Sequence, residues 1–370
     1  MNRWSETLEG LKAQGRFRAL KPPVGIDFSS NDYLGYGQIL RSLPDASQLS
    51  TSGLASRLLR GHHPIWEEVE HALACWHRAE AVLVMNSGFA ANEGLISTVV
   101  EPGDWVASDE FNHACIAEAL RICRPRKFAF RHNDLQHLEE GLRSESDKRP
   151  PGREMFIITE SLFSMDADRA PLEQIVQLAE RYGAHVIVDE AHSTGCFGPT
   201  GSGIVDQLQL RHRVLASVHT GGKALGVTGA YICCSHLIKD YLINKCRHLI
   251  FTTALPPVIG SWWLAMLPRV QGDTRARQQL HENTARFHNQ LLQHNIATRG
   301  DTYIVPVILG DDNVAVQAAT RLQANGYDIR AIRPPSVPPG TSRLRISIHA
   351  DHPPALLDQL AEHVIEAIFG

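Results

Sequence analysis

The sequence predicts an α/β fold: a mainly parallel central sheet covered by helices on both faces, then a smaller α+β C-terminal domain. Three observations predict it. Short, continuously apolar runs recur between residues 81 and 234, as strands buried on both faces require. Stretches with helical spacing of apolar residues separate them, the rhythm of strand–helix–strand crossovers. Turns rich in Gly, Ser, Asn and Asp follow several of the runs, where such a sheet places its ligands.

Taken in order, Leu8, Leu11, Phe17 and Leu20 among charges suit an amphipathic helix over 4–20, closed by Pro22-Pro23. Ile26–Phe28 is a short strand before the turn-rich Ser29–Gly35. Ile65, Val69, Leu73 and Trp76 form one stripe of a helix. Strands are expected at 81–84, 105–107, 156–159, 185–189, 215–218 and 230–234, with helices at 90–100 and 172–182 between them. Beyond these, helix 280–294, strand 303–309, helix 313–325, strand 344–348 and helix 354–368 make the smaller domain. The proline-rich 333–340 must be a loop, since Pro supplies no ladder donor. The expected division is an N-terminal arm at 1–34, a large α/β domain at 35–265 and a small domain at 266–370.

At 370 residues the chain can bury a large core. Lys plus Arg total 36 against 40 Asp plus Glu, and the net charge of −4 leaves no nucleic-acid or membrane footprint. No apolar run approaches the ~20 residues of a membrane span, and the N-terminus lacks a signal-peptide core. A cytoplasmic protein is expected. The seven cysteines contain no CxxC pair and read as buried thiols, and no histidine spacing matches a metal motif.

Three turns carry the chemistry. Ser87-Gly88-Phe89-Ala90-Ala91-Asn92 follows a strand and opens a helix, so Gly88 lets backbone approach a phosphate at the helix N-terminus. Asp189, at the end of an apolar strand, needs a cation to justify burial, and a protonated pyridine nitrogen is one. His192, three residues on, can bond a phenolic oxygen of such a ring. Lys223, in Thr220-Gly221-Gly222-Lys223-Ala224, can reach inward, lose its proton by desolvation and attack an aldehyde. Each alone has an ordinary reading: a packing glycine, a helix-capping Asp, a turn histidine bonded to backbone, a surface lysine. GxxxxGK[ST] is absent, because Ala224 follows Lys223. Phosphate turn, acid and lysine in this order at strand ends match pyridoxal-phosphate enzymes of the aminotransferase type.

The longer segments sharpen this. FSSNDYLG (28–35), SGLASRLLRG (52–61), SGFAAN (87–92), FNHACIAEAL (111–120), ESLFSMDAD (160–168), VDEAHSTG (188–195), TGGKALG (220–226) and RPPSVPPGTSRLRIS (333–347) resemble the α-oxoamine synthase family, most of all its biotin-pathway branch. The resemblance implies a fold-type-I pyridoxal-phosphate transferase that joins L-alanine to pimeloyl-CoA or a pimeloyl-carrier protein, with loss of carbon dioxide. It implies that Lys223 holds the cofactor and moves the α-proton, Asp189 pairs with the ring nitrogen, His192 meets the ring hydroxyl, and His113 stacks on the ring. Gly88, Phe89, Ser164 and Thr220 would hold the cofactor and its phosphate, and Thr253 would reach the phosphate of a neighbouring subunit in a homodimer. Arg18, Asn31, Ser336 and Arg345 would meet substrates, Arg345 as the fork for a carboxylate. Glycine- or serine-using relatives and a non-catalytic, acyl-carrier-binding relative are the alternatives. Gly221, Ala167 and Trp66 depart from the family, which more often carries a bulkier residue, Gly and His there.

Overall fold

The computed structural model describes residues 2–37, 48–296 and 298–370. The chain forms two compact units, Leu34–Ser164 with Arg169–Arg277, and Met1–Tyr33 with Met165–Asp168 and Gln278–Gly370.

The larger unit is built on a seven-stranded sheet. Its strands run in the order Ala81–Met85, Ala230–Cys234, Ala216–Thr220, His185–Asp189, Met155–Glu160, Trp105–Asp109, Arg126–Phe130. All neighbours pair in parallel except Ala230–Cys234, which is antiparallel to both of its partners. Every residue of Ala81–Met85, Trp105–Asp109, Met155–Glu160 and Ala216–Thr220 is buried, so both faces are covered and apolar character need not alternate. Helices Gly88–Val99 and Ala114–Cys123 pack together, and with one face of the sheet they build a core through Leu95, Ile116, Ile158, Ile187 and Val218. Removing the side chain of Ile158 to Ala would cost about 2–5 kcal/mol.

Register aligns the strand ends. Met85 and Thr220 both pair with Ala230, so strands Ala81–Met85 and Ala216–Thr220 end level at one edge. Glu160 pairs with Asp189 in the parallel ladder. The carboxyl ends of the parallel strands therefore present Ser87, Asp109, Glu160, Asp189 and Thr220 along one rim of the sheet.

The smaller unit holds a three-stranded antiparallel sheet, ordered Arg330–Ile332, Ser342–Ser347, Ile304–Gly310. Pro306 is tolerated because its strand is an edge. Alternation along Ser342–Ser347 sends Leu344 and Ile346 to one face and Arg343 and Arg345 to the other, all buried. Ile26–Asp27 pairs in parallel with Tyr327–Asp328, and helices Asp312–Ala324 and Pro354–Phe369 pack on each other. The first helix spans Arg3–Ala13, shorter than its apolar spacing suggests; it buries none of its residues, and Gly15 turns the chain at φ 64°. Among the described residues no helix is long and apolar enough to cross a membrane.

Candidate active site

Along the rim of the large sheet, Ser87 caps helix Gly88–Val99 by accepting the N–H of Ala90. The first-turn amides of such a helix have no carbonyl within the helix, and the helix dipole favours an anion there. A Cβ on Gly88 would lie 2.4 Å from Thr220 Cγ2, so only glycine brings this helix end against the Thr220 strand end. The level register of Met85 and Thr220 is the cause. Thr220 is buried and its hydroxyl donates to the Ala191 carbonyl at 3.4 Å. Phe89 is half-exposed, its ring edge-on to His113 at 6.5 Å between centroids.

Asp189 is buried, and both carboxylate oxygens are gripped. Asn92 Nδ2 donates to Oδ2 at 2.7 Å, and the Ala191 N–H donates to Oδ1 at 2.8 Å. Lys223 Nζ lies 2.7 Å from His192 Nε2, within hydrogen-bond reach. His113 caps helix Ala114–Cys123: its Nδ1 accepts the Cys115 N–H, while its own N–H donates to Glu160 Oε1 at 2.6 Å. Burial pulls the His113 imidazole below its ordinary range, with Asp189 opposing and Lys223 assisting. A neutral, planar ring results.

Ser164 stands in the turn after Glu160, half-buried. Thr253 is exposed; its carbonyl accepts Asn86 Nδ2 at 2.8 Å, and Gly53 packs so close to Thr253-Ala254 that a Cβ would fall 1.8 Å from the Ala254 carbonyl. Lys223, Asp189, His192, His113, Gly88, Phe89, Ser164, Thr220 and Thr253 all belong to the larger unit.

Arg18, Asn31, Ser336 and Arg345 belong to the smaller one. Arg345 is buried, donating to Ser347 Oγ and Asn31 Oδ1 at 3.0 Å each and to Tyr33 Oη at 3.4 Å. The oxygens of Ser347, Asn31 and Tyr33 orient this guanidinium. Arg18 Nη2 donates to Ser336 Oγ at 3.3 Å, and both line a cavity of about 170 Å³ with Arg16 and Arg333.

Gly221, Ala167 and Trp66 each have a physical account in the structure. A Cβ on Gly221 would lie 2.2 Å from the Val227 carbonyl and 2.4 Å from the Trp263 ring, so Trp263 occupies the space of the missing side chain. Ala167 takes φ 62°, a conformation that favours Gly and costs an L-residue about 1–2 kcal/mol. Trp66 is a buried core residue of helix Ile65–His77.

A donor set of amine, buried carboxylate, imidazoles and amide-lined helix terminus fits pyridoxal phosphate. The profile of the aminotransferase class I and II family matches residues 23–364. The 8-amino-7-oxononanoate synthase of Chlorobaculum parvum is 41% identical over 377 residues, covering 95% of each chain. The chain is a member of the α-oxoamine synthase family. The synthase of the same title from Trichlorobacter lovleyi is 38% identical, covering 96% of this chain and 95% of that one. Among solved structures, a serine palmitoyltransferase from S. paucimobilis with a bound PLP–myriocin aldimine superposes with a TM-score of 0.88 at 27% identity, over 98% and 96% of the two chains. An 8-amino-7-oxononanoate synthase from Francisella tularensis gives 0.78 at 25% identity, over 93% and 98%. This family member is a pyridoxal-phosphate-dependent transferase of fold type I.

Asn92 and Glu160 lie inside family-like segments, yet the sequence alone assigns neither a role. The available signal was a polar residue inside an otherwise apolar helix face and an acid closing an apolar strand. Trp263 carried no signal of its own, because its importance follows from Gly221.

Proposed function

We propose that this family member condenses L-alanine with a pimeloyl thioester, carried by CoA or a carrier protein, to 8-amino-7-oxononanoate with loss of the thiol and carbon dioxide, a step of biotin biosynthesis. The observation that carries the reading is near-full-length identity of 41% to a synthase of that title, together with Lys223, Asp189 and His113 at one sheet rim.

Pyridoxal phosphate, when bound, supplies the sink for the electron pair left at the α-carbon of alanine. The chain's residues do the rest. Lys223 would hold the cofactor at its aldehyde and, once freed by the amino acid, would move the α-proton at Nζ. Asp189, held by Asn92 and the Ala191 N–H, would keep the ring nitrogen protonated. The neutral His113 ring would pack on the cofactor, and His192, whose Nε2 lies 2.7 Å from Lys223 Nζ, would orient its hydroxyl. Gly88, Phe89, Ser164 and Thr220 hold the phosphate end. Arg345 takes the alanine carboxylate beside Asn31, and a planar guanidinium suits that fork. Arg18 and Ser336, in their arginine-lined cavity, meet the acyl substrate.

We assign the working form as a cytoplasmic homodimer in which Thr253 reaches the partner's phosphate site. Exposed Leu58, Leu59 and Phe251 supply apolar surface for it, and seven cysteines outside any disulfide suit a reducing compartment.

The test is direct. Incubation with carboxyl-labelled L-alanine and pimeloyl-CoA should release labelled carbon dioxide and give an amino ketone of the expected mass. If glycine with acetyl- or succinyl-CoA outperforms that pair, the substrate assignment fails and the family assignment stands. Arg18→Ala should raise KM for pimeloyl-CoA more than for an uncharged acyl-CoA of similar length.

A further inference from the structure

Three carboxyl side chains end three adjacent parallel strands: Asp109, Glu160 and Asp189. All are buried, and a buried carboxylate needs a partner for its charge. Asp109 has one, accepting from His132 Nδ1 at 2.9 Å and from the N–H groups of Phe111 and Asn133. Asp189 has Asn92, the Ala191 N–H and, in the loaded enzyme, the cofactor's ring nitrogen. Glu160 sits directly across the ladder from Asp189, and residues paired in register project to the same face. It accepts the His113 N–H at 2.6 Å.

We propose that Glu160 is a positioning residue that keeps its own proton: as a neutral acid it grips the His113 backbone and leaves the single negative charge of the pair on Asp189. The inference rests on the proposed cofactor site.

Two carboxylates side by side in a buried site do not both ionise. The choice between them follows from their surroundings. Asp189 is gripped at both oxygens by donors, which favours the anion, whereas Glu160 has one backbone donor. Burial first, and the charge of Asp189 second, drive the Glu160 carboxyl well above the ordinary range; the His113 N–H and Lys223 oppose, and Asp109 adds to the rise. The charge of Asp189 also reaches the buried Cys115 thiol, which burial first and Asp189 second raise. A second full negative charge here would compete with Asp189 for the ring nitrogen's proton and pull on Lys223. A neutral acid removes that competition while still fixing the turn from which His113 projects.

The experiment compares Glu160→Gln and Glu160→Ala with wild type, all loaded with pyridoxal phosphate. Gln keeps the carbonyl that accepts from His113 and carries no charge. It should bind cofactor within about twofold of wild type and leave the pH midpoint of the visible cofactor band unmoved. Ala should weaken cofactor binding about tenfold or more, as expected for losing a bond to a buried donor. In infrared difference spectra at pH 8, wild type minus Glu160→Gln should show the carbonyl stretch of a protonated carboxylic acid. Absence of that stretch, or a band midpoint moved by about one pH unit in the Gln variant, overturns the proposal. Failure of wild type to turn yellow, or of borohydride to fix cofactor on Lys223, would instead remove the underlying site.

Discussion

At the scale of single residues, the site depends on a few side chains whose neighbours define their charge. Lys223→Ala should fold, lose covalent fixation of the cofactor by borohydride, and fall in turnover by at least the ~10²–10⁴ expected for a positioned proton-transfer group. Label fixed on another lysine would refute the assignment. Asp189→Asn replaces an anion held by Asn92 and a backbone N–H with a neutral amide, so exchange of the alanine α-hydrogen with deuterated water should slow sharply. Near-normal exchange would count against the role. Gly221 offers a stability test. A methyl there would meet the Val227 carbonyl at 2.2 Å, a backbone atom that cannot swing aside, as well as Trp263. Gly221→Ala should lower Tm by several degrees, about 1–3 kcal/mol for overpacking of this kind, and weaken cofactor binding because the strained turn leads into Lys223. An unchanged melting curve would mean that the turn relaxes freely.

At the scale of elements, the sequence reveals what burial writes into it and hides what exposure erases. Strands Ala81–Met85, His185–Asp189 and Ala230–Cys234 are legible because continuous apolar runs mark strands covered on both sides. Strand Arg126–Phe130 is not: as the sheet edge it is largely exposed and carries Arg126 and Lys127. Helices Ala114–Cys123 and Leu135–Ser146 escape notice for a related reason, since their short apolar stripes sit among His, Arg and Glu. The arm helix errs the other way. Its apolar spacing suggests 4–20, yet Arg3–Ala13 buries nothing within the chain. Lys223, Asp189 and Gly88 are readable because each interrupts an apolar run at a strand end; Glu160 and Asn92 act on other residues, which no linear pattern reports. Element packing also sets a pH response in the smaller unit. His352 Nδ1 accepts the His349 N–H at 3.1 Å and Nε2 donates to the Asp27 carbonyl at 2.9 Å, so a second ring proton has no acceptor. Burial, then the charge of His349, pull its pKa down to about 3. The folded state therefore binds this proton less readily than the unfolded chain. The associated stability is complete above the ordinary histidine value and declines as pH falls from ~6.5 toward 3, by up to about 1.4 kcal/mol per unit. His77 and His219 act in the same sense, while the raised Glu190 and Glu160 act oppositely, so the total slope is a balance. The informative quantity is the difference between wild type and His352→Gln in urea unfolding at pH 7.5, 6 and 5. Any advantage of the wild type should shrink as pH falls, and a difference independent of pH would show that His352 titrates normally.

At the scale of the whole molecule, two exposed apolar side chains of the larger unit offer surface for a second copy. Leu59 is 74% exposed and Phe251 72% exposed, each next to a segment that packs tightly within the unit. Leu59 lies in the 52–61 turn, where the Ala55 carbonyl accepts the Ala254 N–H at 2.9 Å, and Arg57 and Lys239 both pair with the buried Glu70. Phe251 directly precedes Thr252-Thr253, whose backbone Asn86 holds. Large apolar side chains displayed from packed backbone suit an interface, because desolvating them repays about 25 cal/mol per Å². A second copy related by a two-fold axis is the commonest occupant of such a surface. It would also bring Thr253 to a phosphate site other than its own. Light scattering should find a dimer at micromolar concentration. Phe251→Asp with Leu59→Asp should yield monomers that keep their fold by circular dichroism yet bind pyridoxal phosphate less tightly. Thr253→Ala should leave the dimer intact and weaken cofactor binding alone. Monomeric wild type that is fully active would refute the shared site. A dimer unaffected by both aspartates would place the interface elsewhere on the chain.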